Sequence, residues 1–191
     1  MKLYFNPQSR AVIAKWMLDE CGAEYELAPI DFAKGEHKSP EYLQINPAGK
    51  LPALVDGETN VFETAAICLY LAEKFPASNL APKINDPRRG RYLSLMVYST
   101  AQVEPSLGDK VLKLDVDVHR GWSDFDAVQD VIERELGDGP YLFRDWFTAA
   151  DVMIGSMLIW QRFLNVGQQR PKLAAYTDRL LARPKAIRLG S

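Results

Sequence analysis

The chain has 191 residues, of which 47% are hydrophobic and 25% charged, and its formal net charge is −2. That composition belongs to a folded chain of one or two domains and excludes disordered and collagen-like polymers. So small a charge gives no electrostatic ground for a nucleic-acid or anionic-membrane partner.

No apolar run approaches the roughly 18–20 residues of a membrane span, and no signal-peptide pattern stands at the N-terminus. Cys21 and Cys68 lie far apart with no Cys-x-x-Cys between them. This spacing argues against a disulfide framework and a dithiol redox centre, and predicts two buried thiols in a reducing, cytoplasmic setting.

The predicted elements begin with an apolar strand, Met1–Phe5, which stops at Asn6-Pro7. A helix follows from Ala11 to Cys21, where Val12, Ile13, Trp16, Met17 and Leu18 recur at three- and four-residue spacing and Gly22 supplies the stop. Tyr25–Ile30 reads as a second strand, so the first thirty residues form a βαβ unit with a parallel strand pair. Phe32–Lys38 is a loop. Ser39-Pro40-Glu41 opens a short helix with a hydroxyl cap, a first-turn proline and an acid against the helix dipole. Asn46-Pro47-Ala48-Gly49 is a turn. Ala53–Val55 and Val61–Phe62, joined through Asp56-Gly57, form an antiparallel pair, and Thr64–Phe75 is an apolar helix.

Residues 1–76 thus read as a βαβ–α–ββα domain. The segment 77–87 has the proline-rich, polar composition of a linker, and 88–191 reads as an all-helical domain. Its expected helices are Arg88–Gln102, Trp122–Leu136, Val152–Phe163 and Leu173–Leu181, with Val152–Phe163 apolar enough to be central. Thr148-Ala149-Ala150-Asp151 has the form of a capping box at the start of that central helix, with aspartate in place of the usual Glu or Gln.

The segments that carry chemistry lie in the first domain. Pro52 directly precedes a strand, a position open to proline only at an edge or in a special turn. A cis bond there would turn the Leu51 backbone outward, leaving its N–H and C=O free for the main chain of a peptide-like ligand. Glu63-Thr64 stands at a strand-to-helix junction. Unpaired N–H groups, a partial positive charge and the Thr64 hydroxyl suit a ligand carboxylate there, while Glu63 suits an ammonium. His37 and Lys38 offer anchors for a second carboxylate.

The runs Gly35-Glu36-His37-Lys38-Ser39-Pro40-Glu41-Tyr42-Leu43, Asn46 through Gly57, and Phe62-Glu63-Thr64-Ala65-Ala66-Ile67-Cys68-Leu69-Tyr70-Leu71 resemble the glutathione S-transferase family, most closely its plant phi class and bacterial members. The resemblance covers the whole first domain and, more loosely, the second. It implies a thioredoxin-like domain followed by a helical bundle, usually as a homodimer, with glutathione as co-substrate and no metal. It also implies roles for individual residues. Leu51 before cis-Pro52 would bind the cysteinyl backbone of glutathione, Glu63 and Thr64 its γ-glutamyl end, and His37 and Lys38 its glycyl carboxylate. Lys50 would fill a contacting position that is often glutamine, and Thr148 and Asp151 would cap the family's buried helix.

Conjugation requires a donor that stabilises the thiolate where the first strand meets the first helix. Ser9 is the leading candidate, with Tyr4 and Asn6 as alternatives. Ungapped alignment puts the phi- or zeta-class serine at Gln8, the beta-class cysteine at Arg10 and the alpha-class tyrosine at Tyr4. A pocket for a small hydrophobic electrophile is expected between the domains, lined by Tyr98, Ser99, Gln102 and Val103. The leading expectation is transfer of glutathione to such an electrophile. Glutathione-dependent disulfide or peroxide reduction, isomerisation, and a non-catalytic binding or scaffold module on the same fold are the alternatives.

Overall fold

The computed structural model describes residues 1–115 and 119–189. The chain divides into two compact units, Met1–Asn79 and a second beginning at Leu80.

The first unit contains, in order, β1 (Lys2–Phe5), α1 (Ala11–Cys21), β2 (Glu26–Pro29), α2 (Pro40–Ile45), β3 (Ala53–Asp56), β4 (Thr59–Phe62) and α3 (Thr64–Lys74). Its sheet runs β2-β1-β3-β4, with β1 parallel to β2 and the other two pairs antiparallel. This is the predicted βαβ–α–ββα order. Alternation along β1 decides which helices cover which face. Leu3 pairs with Leu54, and both are fully buried on the side where α1 and α3 pack. Tyr4 turns to the other side and meets Tyr42 of α2 edge-on, with ring centroids 5.3 Å apart. Ser39 caps α2 by accepting from the Tyr42 N–H at 3.2 Å.

The second unit is helical: α4 (Arg89–Tyr98), a π-helical turn (Ser99–Val103), α5 (Glu104–Leu112), α6 (Phe125–Leu136), α7 (Ala149–Phe163) and α8 (Pro171–Leu181). Four boundaries differ from those the sequence pattern suggests. The helix expected over Arg88–Gln102 passes through the π turn into α5, which the pattern does not reveal. Pro105, which has no N–H to give to the preceding turn, is the second residue of α5 and follows the π turn directly. The helix expected from Trp122 starts at Phe125 because the Asp124 carboxylate accepts from the Ala127 N–H at 2.8 Å and caps it. Helices α7 and α8 begin two or three residues before the expected positions.

One cysteine expectation is also corrected. Cys68 is fully buried, and desolvation pushes its thiol pKa up. Cys21 is only partly buried, with its Sγ 3.8 Å from the Leu71 carbonyl oxygen.

Every residue of α7 from Ala149 to Gln161 is buried, as a central helix requires. Its N-terminus is fixed by the Thr148–Asp151 capping box. The Asp151 carboxylate accepts from the Thr148 N–H at 2.8 Å and the Thr148 hydroxyl at 3.1 Å. It also accepts from the Leu142 N–H at 2.9 Å and the Tyr176 hydroxyl at 2.8 Å. One buried side chain therefore joins the 142–148 loop, α7 and α8.

Burial pushes the Asp151 pKa above its ordinary value, and the hydrogen bonds from Leu142, Thr148 and Tyr176 oppose that shift. With a raised folded-state pKa, the native chain binds the proton more tightly than the unfolded chain does. The contribution is thus full below the ordinary aspartate value and is lost as pH rises through the raised one. Urea unfolding of wild type and Asp151→Asn at stepped pH should show the wild type losing stability relative to the variant across that window. A difference that grows in the wild type's favour with pH would contradict the shift.

Candidate functional site

Strand register brings the chemically informative segments to one end of the sheet. Ala53 pairs with Phe62, so Leu51-Pro52 just before β3 and Glu63-Thr64 just after β4 lie at the same end of that hairpin. Ala53 also pairs with Tyr4 across β1, which carries the Asn6–Ser9 turn to the same end.

The Leu51–Pro52 peptide bond is cis, and both side chains are buried. No hydrogen bond to the Leu51 N–H or C=O is found among the described residues. The segment before it is held firmly. The Lys50 carbonyl accepts from the Tyr42 hydroxyl at 2.6 Å and from Asn46 Nδ2 at 2.8 Å. Asn46 is itself buried, and its Oδ1 accepts from the Ala48 N–H at 3.0 Å. Burial pushes the Tyr42 phenol up to about 12, so it stays a protonated donor throughout the neutral range. The sequence pattern does not show that Tyr42 and Asn46 together hold the Lys50 carbonyl. The Asn-Pro-x-Gly turn was visible, but a tyrosine on a short helix carries no local mark of the carbonyl it will reach.

Lys38 is exposed, and its Nζ donates to the Ala48 carbonyl at 3.2 Å, so the loop after β2 lies against the same turn. Gly49 makes this approach possible. Its φ is +58°, and a Cβ there would stand 2.7 Å from Lys38 Nζ and 2.9 Å from the His37 carbonyl oxygen. His37 packs its ring edge-on against Phe32 at 5.0 Å, and its buried Nδ1 has no hydrogen-bond partner among the described residues. Lys50 is exposed.

At the start of α3 the N-cap residue is Glu63, with φ +70°, ψ +123° and no side-chain cap bond. Thr64 is therefore the first helical residue and not the cap. Its side chain is buried, and no hydrogen bond of its hydroxyl is found among the described residues. The Glu63 side chain is exposed. A non-glycine residue at positive φ costs energy of order 1–3 kcal/mol and, when it persists, points to a functional constraint. The result is a helix N-terminus with unpaired amides, an uncommitted hydroxyl and a free carboxylate, at the same end of the sheet as an unpaired strip of backbone.

The three candidates for thiol activation differ in how they are held. Ser9 is half-buried; its hydroxyl donates to the Asn6 carbonyl at 2.7 Å and accepts from the Ala11 N–H at 3.1 Å. Asn6 is committed to the fold, with Nδ2 donating to the Ile30 carbonyl at 2.8 Å and Oδ1 accepting from the Gln8 N–H at 2.9 Å. Tyr4 packs against the cluster containing Tyr42, Leu51 and Ala53.

The four residues expected to line an electrophile pocket do not share one environment. Ser99 and Val103 are buried in the bundle, in the π turn that packs on α7. Gln102 is tied to the loop before α6, donating to the Gly121 carbonyl and accepting from the Ser123 N–H, both at 2.8 Å. Tyr98 lines a groove of about 420 Å³ with Leu95 and Val131. Only Tyr98 and Gln102 keep surface that a small molecule could touch.

Family models for the glutathione S-transferase N-terminal and C-terminal domains match residues 1–73 and 115–179. Glutathione S-transferase 3 of Zea mays is 32% identical, over 96% of this chain and 90% of its own. The solved ternary complex of BphK, a bacterial GST, superposes with a TM-score of 0.81 at 26% identity, over 97% of this chain and 95% of the other. A sphingomonad glutathione S-transferase complexed with glutathione gives 0.78 at 27% identity, over 97% and 94%. The chain belongs to the glutathione S-transferase family.

Replacing Gly49 with alanine should disturb the site and the fold together. A left-handed non-glycine residue costs about 1–2 kcal/mol, and the added methyl displaces Lys38. Urea unfolding should show a loss of at least that size, and an unchanged midpoint would contradict the close approach.

Proposed function

We infer that the chain is a glutathione transferase, which activates the glutathione thiol and conjugates it to a small hydrophobic electrophile. The observation that carries this reading is the pairing of an unbonded Leu51 backbone with an open α3 N-terminus at one end of the sheet. Glutathione is a tripeptide with two carboxylates and one ammonium, and each of its groups has a counterpart here. The cysteinyl backbone pairs with the Leu51 N–H and C=O. The γ-glutamyl carboxylate takes the α3 amides and the Thr64 hydroxyl, and its ammonium takes Glu63. The glycyl carboxylate takes the charge of Lys38, with His37 and Lys50 beside it.

The thiol, with an ordinary pKa near 8.5, needs a donor to ionise at neutral pH. Ser9 is the proposed donor. Its oxygen is held by the Ala11 N–H, which polarises the hydroxyl, and rotation about its Cβ–Oγ bond would redirect the O–H hydrogen bond from the Asn6 carbonyl to the thiolate sulfur, with the proton staying on Ser9. Tyr4 is the second choice. Asn6 is better read as the residue that shapes the turn, since both ends of its amide are engaged. A thiol-based reductase is less well supported, because no cysteine stands between Tyr4 and Arg10. The family resemblance further implies a cytoplasmic homodimer, which mass measurement in solution checks.

Glu63→Gln should weaken glutathione binding by about 1–3 kcal/mol, the scale of a charged hydrogen bond. Glu63→Gly should weaken it as well while raising thermal stability, because glycine adopts the left-handed backbone freely. Calorimetric titration and thermal melts read both effects, and unchanged affinity in either variant removes Glu63 from the site. Ser9→Ala should raise the pKa of bound glutathione, followed by thiolate absorbance against pH. An unchanged titration would transfer the activating role to Tyr4.

A further inference from the structure

A second site of different chemistry lies wholly within the helical unit. A cavity of about 310 Å³ is lined by Arg88, Arg91, Arg134 and Arg144, together with Glu135 and Phe143. Four arginines line one small cavity, and like charges so grouped repel one another unless counter-charge is present. The protein supplies only part of it. Arg88 is neutralised by Asp86, with Nε–Oδ1 at 2.9 Å and Nη2–Oδ2 at 2.6 Å. Arg91 is neutralised by Glu135, with Nε–Oε2 at 2.7 Å, and its Nη2 donates to the Glu135 carbonyl at 2.7 Å. Arg134 and Arg144 have no carboxylate partner among the described residues. Two positive charges are left over, so the complement is a dianion.

The backbone gives an independent sign. Arg144 has φ +63°, in a tight turn closed by reciprocal Tyr141–Arg144 hydrogen bonds, both at 3.0 Å. Glycine would hold this turn without the steric penalty that arginine incurs. The turn is so close-set that a Cβ on Gly139 would stand 2.8 Å from Arg144 Cα. Arg144 is thus a long cation at left-handed φ in the wall that three other arginines also line. The Phe143 ring is buried in the same wall, with the Arg91 guanidinium 6.0 Å from its centroid. One side of the cavity is therefore apolar. Arginine forks match the oxygens of a phosphoryl group.

We propose that this cavity is a binding site for a small phosphate monoester, whose dianionic phosphoryl group sits between Arg134 and Arg144 and whose apolar ester group rests on Phe143.

The test uses phenyl phosphate and phenyl sulfate, which share a shape but differ by one charge above the second phosphate pKa of about 6. Each is titrated calorimetrically into the full chain at fixed chloride concentration. Phenyl phosphate should bind saturably with 1:1 stoichiometry, and about tenfold or more tighter than phenyl sulfate. Arg144→Gly and Arg134→Gln should each weaken phenyl phosphate about tenfold while leaving glutathione affinity unchanged. Arg144→Gly should melt at or above the wild-type temperature, so lost binding cannot be ascribed to misfolding. The proposal is overturned by absence of saturable phenyl phosphate binding, by equal affinity for the sulfate, or by variants that bind as wild type does.

Discussion

The first unit depends on a single buried grip. Tyr42 and Asn46 both donate to the Lys50 carbonyl, so the chain enters Leu51-Pro52 along a fixed path. Each donor lies in low dielectric, and a lost partner there costs more than the bond itself contributes in water. That grip leaves the next peptide group, Leu51, unpaired at the end of a sheet whose register also carries Glu63 and the Asn6–Ser9 turn. A small molecule with a peptide backbone and two carboxylates is then recognised by groups drawn from four elements, none adjacent in sequence to all the others.

Two left-handed backbone positions lie at the proposed glutathione site. Gly49 accepts a left-handed backbone so that Lys38 can lie across the turn, and Glu63 accepts one without being glycine. The second unit shows the complementary habit. Its buried carboxylate, Asp151, makes four hydrogen bonds and serves to join loop and helices, with no ligand required. Arg144 breaks that habit, being strained, exposed and unpaired among the described residues.

Much of this was legible before any coordinates. The helical spacing of α1 and α3, the capping pattern at Thr148–Asp151, and the proline before β3 each act within a few residues, so local sequence specifies them. The place of Thr64 at the start of the helix was visible too, but the positive φ of the residue before it was not. Thr64 is the first helical residue because the positive φ of Glu63 makes the acid the cap, and backbone strain leaves no compositional trace. Tyr42 and Gly49 were hidden for the opposite reason: their partners lie eight or more residues away, and only folding reveals the contact. The four residues expected to line a pocket on α4 and the π turn divide by burial, Tyr98 and Gln102 partly exposed and Ser99 and Val103 buried. Each pair is spaced i,i+4 and so shares a helix face, one turned to the bundle and one partly to solvent.

The central claim concerns which amides glutathione meets. Backbone amide shifts of the isotope-labelled chain, titrated with S-methylglutathione so that thiol chemistry is silent, report this residue by residue. The largest changes should fall at Leu51 and at Thr64 and its following first-turn amides, with smaller ones near Lys38. Changes confined to the helical unit, or an unmoved Leu51 amide at saturation, would contradict the clamp.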